Sequence, residues 1–119
     1  RIRLKTDVEQ GVIVLLTQAV PLALVVSELV TNAVKYAFPD DRTGQLGVVL
    51  QRNGDELRIE VADDGVGLPD EFQPAKSAGL GMRIVTALVR QVRGRLEVGR
   101  GEPGTRFSII VPQGAAGVQ

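Results

Sequence analysis

The stretch ELVTNAVKYAF, residues 28–38, closes a longer segment in which apolar residues recur at helical spacing. This spacing predicts an amphipathic helix that runs to Ala37 and is ended by Pro39. We expect Thr17 to cap the helix and Pro21 to lie near its first turn, where proline is tolerated. The apolar positions are Leu22, Val25, Val26, Leu29, Val30, Ala33 and Ala37.

Short alternating or β-branched runs on either side of this helix predict strands at residues 2–6, 12–16, 46–52, 56–62, 95–98 and 105–111. Asn53-Gly54 between two such runs predicts a hairpin. Residues 80–92 predict a second amphipathic helix, ended by Gly94. The order of these elements predicts an α+β fold, a two-layer α/β sandwich whose mixed, mostly antiparallel sheet has helices on one face.

Composition sets further bounds. The 119 residues suit one domain, predicted at residues 1–113 with a flexible tail at 114–119. Because 14 basic residues balance 14 acidic ones, we expect no nucleic-acid partner. The absence of cysteine and histidine excludes disulfides, thiolate zinc sites and Ser-His-Asp chemistry. The apolar residues 11–26 are interrupted by polar ones and are shorter than the ~18–20 residues of a membrane span.

The first polar constellation is Glu28, Asn32 and Lys35. At 100° per residue these three positions fall within roughly 60° of arc on the long helix, away from its apolar face. One interpretation is a solvated polar face. The other is a phosphate–metal edge, with an amide oxygen for Mg²⁺, an ammonium group for phosphate and a carboxylate that orients an attacking group.

Three glycine motifs follow along the chain. Asp63-x-Gly65-x-Gly67 is either a plain turn or a carboxylate held at a tight turn where it accepts a hydrogen bond from an exocyclic amine. Gly79-Leu80-Gly81-Met82 opens the second helix and is either a loop exit or an anion-binding N-terminus. It is neither a Walker loop nor a dinucleotide fingerprint. Gly104-Thr105 has no meaning alone.

Together, the order and spacing of these motifs resemble those of a known protein family. ELVTNAVKYAF resembles the N box of histidine kinases, and VADDGVGLP (residues 61–69) resembles their first glycine box. GLGMRIV (79–85) and GTRFSI (104–109) resemble the second and third glycine boxes. The chain is similar over nearly its whole length to the catalytic ATP-binding domain of sensor histidine kinases, in the GHKL superfamily with its Bergerat fold. The residues in and around each motif are most similar to those of HWE-like and related bacterial sensor kinases.

The resemblance implies roles for individual residues on the long helix. Glu28 would be the catalytic or positioning carboxylate, and Asn32 would coordinate magnesium that bridges the ATP phosphates. Lys35 would face phosphate, and Tyr36 would contact the nucleotide.

For the glycine boxes, the resemblance implies that Asp63 holds the adenine amine while Gly65 and Gly67 shape the wall around it. Thr105 would support the adenine end near Asp63. Residues 68–78 would form a short ATP lid. The phosphates would be flanked by Gly79, Leu80, Gly81 and Met82.

The resemblance also implies a function: binding Mg-ATP and donating the γ-phosphate to a histidine on a separate dimerisation domain, with a response regulator downstream. A chain without histidine would not autophosphorylate alone. We expect a cytoplasmic domain with no direct membrane contact. The alternatives are a serine kinase of the anti-sigma-factor type and a non-catalytic ATP-sensing module, both with the same fold. The residue pair Lys35-Tyr36 favours a histidine kinase over the serine kinase.

Overall fold

The computed structural model describes residues 2–38, 42–67, 80–101 and 103–113, and these contain seven helices and strands. The strands form one sheet in the order β1-β2-β3-β5-β4. β1 pairs with β2 in parallel, and every other pair is antiparallel. The predicted α+β fold with a mixed sheet is confirmed. The elements are β1 Ile2–Val8, α1 Leu16–Tyr36, β2 Gly44–Asn53, β3 Glu56–Asp63, α2 Leu80–Gln91, β4 Arg95–Arg100 and β5 Thr105–Pro112.

One hydrophobic core joins both helices to one face of the sheet. In β3 the buried residues alternate with partly exposed ones, as expected for a strand with one covered face. The opposite face carries charges, such as the ion pair between Arg106 and Glu60 at 3.3 Å. The helices therefore cover a single face. The core residues are Leu22, Val25, Leu29, Leu46, Leu57, Ile59, Val61, Met82, Val85, Val89, Val92, Ile109 and Val111.

The strand predicted at residues 12–16 is wrong. Residues 12–15 lie in neither helix nor strand, and α1 begins at Leu16. Val12 and Val14 pack against the core, whereas Ile13 is exposed. The segment thus has the alternation of an extended chain, but it pairs with no strand of the sheet. It instead leads into α1, which carries the chain from β1 to the parallel strand β2.

Helix ends also differ from the prediction. Leu15, with extended backbone and no side-chain cap, precedes α1, so Thr17 is not the cap and Pro21 lies in the second turn. At the end of α2 the left-handed position belongs to Arg93, at φ 60°, rather than to Gly94. The N–H of Gly94 still closes the helix by donating to the carbonyl of Val89. The predicted tail and lid lie outside the described residues.

α1 is long and apolar enough to cross a membrane by length and composition, with a mean hydropathy of 1.3 in its most apolar window. Part of this hydropathy comes from Leu22, Val25 and Leu29, which are buried in the core. The rest comes from apolar residues on the opposite side of the helix that remain exposed. α1 is therefore a core helix of this domain with a second, uncovered apolar side.

Candidate functional site

The polar edge of α1 carries three of the predicted site residues. Glu28 and Asn32 are half-buried and Lys35 is exposed. Within the described ranges, none of the three enters a side-chain hydrogen bond or ion pair with another residue. Their polar atoms are therefore free of internal partners there and available to a ligand.

The first turn of α2 lies against Glu28. A Cβ atom added to Gly81 would come within 2.9 Å of Glu28 Cδ and 3.3 Å of Cγ, and closer still to Oε2. A side chain at this position would therefore displace the flexible end of Glu28. Backbone N–H groups in the first turn of a helix have no partner within the helix, and the helix dipole is positive there. This N-terminal turn and Glu28 thus share one location.

Asp63 ends β3 and faces Thr105, the first residue of β5. Its Oδ1 accepts a hydrogen bond of 2.9 Å from the Gly65 N–H. Burial raises the pKa of the Asp63 carboxyl; backbone N–H groups of Gly65 and Thr105 partly oppose this, and the neighbouring Asp64 adds to the rise. Thr105 is buried and pairs with Asp63, and its support of the adenine end stays a prediction.

The segment after Asp63 is attached to the end of α1. A Cβ atom at Gly65 would meet the Ala37 Cβ at 2.6 Å and would overlap the Ala37 carbonyl oxygen. The Val66 N–H donates to that same carbonyl at 3.0 Å. Gly67 follows with φ 81°, a conformation that favours glycine. The first glycine motif is therefore fixed to the helix that carries Glu28 and Asn32.

These contacts attach two separate motifs to the same helix. Along α1, the contact with Gly81 at Glu28 and the contact with Gly65 at Ala37 are nine residues apart, or about 13 Å at the helical rise. The tight turn that carries Asp63 and the first turn of α2 are thus both attached to α1, and Asn32 lies between the two attachment points along the helix axis.

Asp64 has a role that the sequence does not reveal. Its Oδ1 accepts the Gln45 N–H at 2.7 Å, and its own N–H donates to the Gln45 carbonyl at 3.2 Å. These two bonds join the end of β3 to the start of β2. The only signal in the sequence is register: Asp63 pairs with Leu46, which places Asp64 beside Gln45. The two adjacent aspartates therefore differ in their partners.

For the other predicted site residues, the structure shows no side-chain hydrogen bond to Glu28, Asn32 or Asp63 within the described ranges. Tyr36 is 69% exposed at the end of α1. The Met82 side chain is buried in the core, so any contact with a ligand through this side chain remains a prediction. Leu80 begins α2, and Gly79 lies outside the described residues.

Comparison with known proteins assigns this arrangement to a family. Residues 17–115 match the model of the histidine kinase-, DNA gyrase B- and HSP90-like ATPases. The chain belongs to this ATPase family. Within it, the chain is a histidine-kinase ATPase domain, because its relatives are sensor histidine kinases and its structural neighbours are histidine-kinase catalytic domains.

Two relatives illustrate the similarity. Blue-light-activated histidine kinase 2 of Erythrobacter litoralis is 40% identical over 95 residues, which cover 76% of this chain and 27% of that protein. The sensor histidine kinase PdtaS of Mycobacterium tuberculosis is 38% identical over 103 residues, which cover 84% of this chain and 21% of that protein. The chain thus spans about a quarter of the length of these relatives.

Solved structures agree in fold. The blue-light activated histidine kinase EL346 of Erythrobacter litoralis superposes with a TM-score of 0.85 at 34% identity, over 97% of this chain and 37% of that one. The histidine kinase AdeS of Acinetobacter baumannii superposes with a TM-score of 0.81 at 18% identity, over 95% of this chain and 55% of that one, and shows the fold alone.

Proposed function

We propose that the chain binds Mg-ATP between the polar edge of α1, residues 63–67 and the start of α2, and donates the γ-phosphate to a histidine on another domain of its parent kinase. The family supports ATP as the ligand. The observation that carries the proposal is the attachment of two motifs to α1: the first turn of α2 lies against Glu28, and the segment that follows Asp63 lies against the end of the same helix.

Asp63 would recognise adenine. Its carboxylate is held by the Gly65 N–H, and burial makes an additional donor to it valuable, because a buried carboxylate is stabilised by each hydrogen bond it accepts. The exocyclic amine of adenine is such a donor. Thr105 would support this end through the β3–β5 pairing.

Asn32, Lys35 and the N-terminal turn of α2 would receive the phosphates. Mg²⁺ in nucleotide sites commonly has few protein ligands and takes other ligands from phosphate and water. Asn32 would supply an oxygen to the metal, which would neutralise phosphate charge when bound.

Glu28 would act on the acceptor. One turn from Asn32, its carboxylate can orient an imidazole whose nitrogen attacks the γ-phosphorus. The bond between the γ-phosphorus and the bridging oxygen breaks, the new nitrogen–phosphorus bond forms, and ADP leaves. The chain has no histidine, so the acceptor must come from elsewhere. Without it, we expect at most slow ATP hydrolysis.

We further propose a dimerisation domain that carries the acceptor, a response regulator downstream and a cytoplasmic location for this domain. The sequence identity of 38–40% to sensor histidine kinases favours this function over that of an anti-sigma-factor-type serine kinase or a non-catalytic ATP sensor. The matched residues 17–115 include Glu28, and a module that only senses ATP would not need a carboxylate that acts on an acceptor.

The test is to label the full-length kinase and the 119-residue domain separately with ATP carrying ³²P at the γ-position. We expect base-stable, acid-labile phosphate on the full-length protein and none on the isolated domain. Stable label on serine or threonine of a partner protein, or stoichiometric label on the domain itself, would contradict the proposal.

A further inference from the structure

β1 lies at one edge of the sheet, so one side of this strand has no neighbouring strand among the described residues. Just after β1, the Glu9 N–H donates to the carbonyl of Leu50 in β2 at 2.9 Å. Because backbone groups alternate in direction along a strand, the odd-numbered residues of β1 direct their N–H and C=O groups at β2. The even-numbered residues direct theirs at the free edge. They are Ile2, Leu4, Thr6 and Val8.

The free edge of β1 lacks two protections that are common on edge strands of soluble proteins, proline and a β-bulge. The strand contains no proline, and its seven residues pair with β2 in one unbroken register. Two apolar side chains on the strand, Leu4 and Val8, are 60% and 56% exposed. Of the common protections of an edge, charged side chains are the one that β1 has.

The charged side chains of β1 are ordered by sign. Arg3 and Lys5 are positive, whereas Asp7 and, directly after the strand, Glu9 are negative. The β2 residues that pair with Arg3, Lys5 and Asp7 are uncharged, and within the described ranges these three side chains form no ion pair or side-chain hydrogen bond. The order repels a parallel copy in register, because like charges would lie opposite each other, and attracts an antiparallel copy.

Of the antiparallel registers centred on residues 4 to 7, one places every charge opposite its opposite. A twofold axis at Thr6 sets Lys5 against Asp7 of the second copy and Arg3 against Glu9 of the second copy. An axis at Lys5 or at Asp7 would set that residue against itself, and an axis at residue 4 would set Arg3 against Lys5. The charges therefore select Thr6 as the centre.

The same register suits the uncharged residues of the strand. Leu4 pairs within the chain with the core residue Leu46, and in the dimer it would lie opposite Val8 of the second copy. Thr6 would lie opposite Thr6, and apolar pairs and threonine pairs both stabilise adjacent strands. These are residues whose backbone groups point to the free edge, so the pairing also forms about six backbone hydrogen bonds. Backbone direction, charge and apolar contact thus agree on one register.

We propose that β1 pairs in antiparallel orientation with β1 of a second copy of this chain, with the twofold axis at Thr6. The pairing joins two five-stranded sheets edge to edge. It uses no residue of the proposed ATP site, since Asp63 ends β3, two strands or about 10 Å from β1. The overlap of about five residues per copy is small beside the roughly 20–30 residues per side of a stable interface, so the dimer is weak and dissociates on dilution.

The experiment is analytical ultracentrifugation of the 119-residue domain, at concentrations from about 10 µM to about 1 mM, where a weak dimer forms and dissociates. Lys5→Glu brings two carboxylates together at each pair of residues 5 and 7, and Asp7→Lys brings two ammonium groups together there. An equimolar mixture of the two variants restores opposite charges in the mixed dimer. The control is Arg90→Glu, which makes the same change in net charge as Lys5→Glu at an exposed position of α2.

We expect wild type and Arg90→Glu to self-associate with equal affinity, and each β1 variant alone to have a dissociation constant at least about tenfold higher. The equimolar mixture should recover an affinity within about threefold of wild type, which variants damaged in folding would not do. Thermal unfolding of each variant within a few degrees of wild type checks that the fold is intact.

Wild type that stays monomeric at about 1 mM would overturn the inference. Association that both β1 substitutions leave unchanged would also overturn it, because the copies would then meet at another surface, such as the exposed apolar side of α1. A mixture that fails to associate would do the same, since the loss in the single variants would not come from charge pairing. None of these outcomes depends on ATP, so the proposed function stands or fails separately.

Discussion

The carboxyl group of Glu28 occupies the space that a side chain at Gly81 would need: an added Cβ would lie 2.9 Å from Glu28 Cδ. The site therefore depends on the missing side chain at Gly81 as well as on the carboxylate. In a helix, alanine is favoured over glycine by roughly 0.5–1 kcal/mol. A methyl group at this position should thus move Glu28 without unfolding the domain.

We predict that Gly81→Ala leaves thermal stability within a few degrees of wild type and lowers phosphohistidine formation in the full-length kinase by at least tenfold. Gly99→Ala is the control, because the nearest atom to an added Cβ there is 4.0 Å away. If the loss arises from displaced Glu28, then Gly81→Ala combined with Glu28→Ala should be no slower than Glu28→Ala alone. Strictly additive losses would contradict this mechanism.

Asp63→Asn should weaken ATP binding by roughly 10- to 100-fold, the usual effect of losing a hydrogen bond to a charged group. The control is the adjacent carboxylate. Asp64→Ala removes the bond to the Gln45 N–H and should cost about 1 kcal/mol of stability, with ATP affinity unchanged within about twofold. Calorimetric titration of both variants checks this, and equal losses in the two would contradict the assignment of Asp63.

Asp63 should also give the domain a particular pH dependence. Burial raises the pKa of its carboxyl above the ordinary value of 3.8, so the folded state favours the protonated form. The stabilising contribution of the protonated carboxyl is present below the unfolded pKa and is lost as the pH rises through the folded pKa.

The free-energy difference between Asp63→Asn and wild type isolates this contribution, because other carboxyl groups cancel. We predict that the stability of the variant relative to wild type is greatest at pH 7 and declines as the pH falls towards 3.8. Urea unfolding at several pH values measures it. A relative stability that grows on acidification would show that the Asp63 pKa is lowered instead.

Asn32→Ala should remove most of the effect of Mg²⁺ on ATP affinity while preserving some affinity for metal-free ATP. The reason is that Asn32 offers the metal an oxygen but adenine is held elsewhere, at Asp63. Thr31→Ala, an exposed neighbour on the same helix, is the control and should keep the full metal dependence. A metal dependence unchanged in Asn32→Ala would place the metal on other groups.

The fold was predictable where local pattern and tertiary partner agree. The hairpin between β2 and β3 follows from alternation and a glycine turn, and the structure pairs Asn53 with Glu56 around Gly54 at φ 64°. Residues 12–15 show the opposite case. Their alternation favours an extended backbone, but a strand also needs hydrogen bonds to a neighbouring strand, and whether a segment pairs is decided by the whole sheet.

The site was predictable as a set of motifs but not as a set of contacts. The helical spacing of Glu28 and Asn32 and the position of Asp63 after a strand follow from the sequence. The contact between Glu28 and Gly81 depends on how two helices pack, and the tie between Asp64 and Gln45 depends on sheet register. Neither is encoded in local spacing.

Nucleotide binding is tested most directly by a calorimetric titration of ATP into the 119-residue domain, with and without Mg²⁺. We predict one ATP per chain, bound more tightly when magnesium is present. Absence of any binding at millimolar ATP and magnesium would contradict the claim that Asp63, Asn32 and the first turn of α2 together form a nucleotide site.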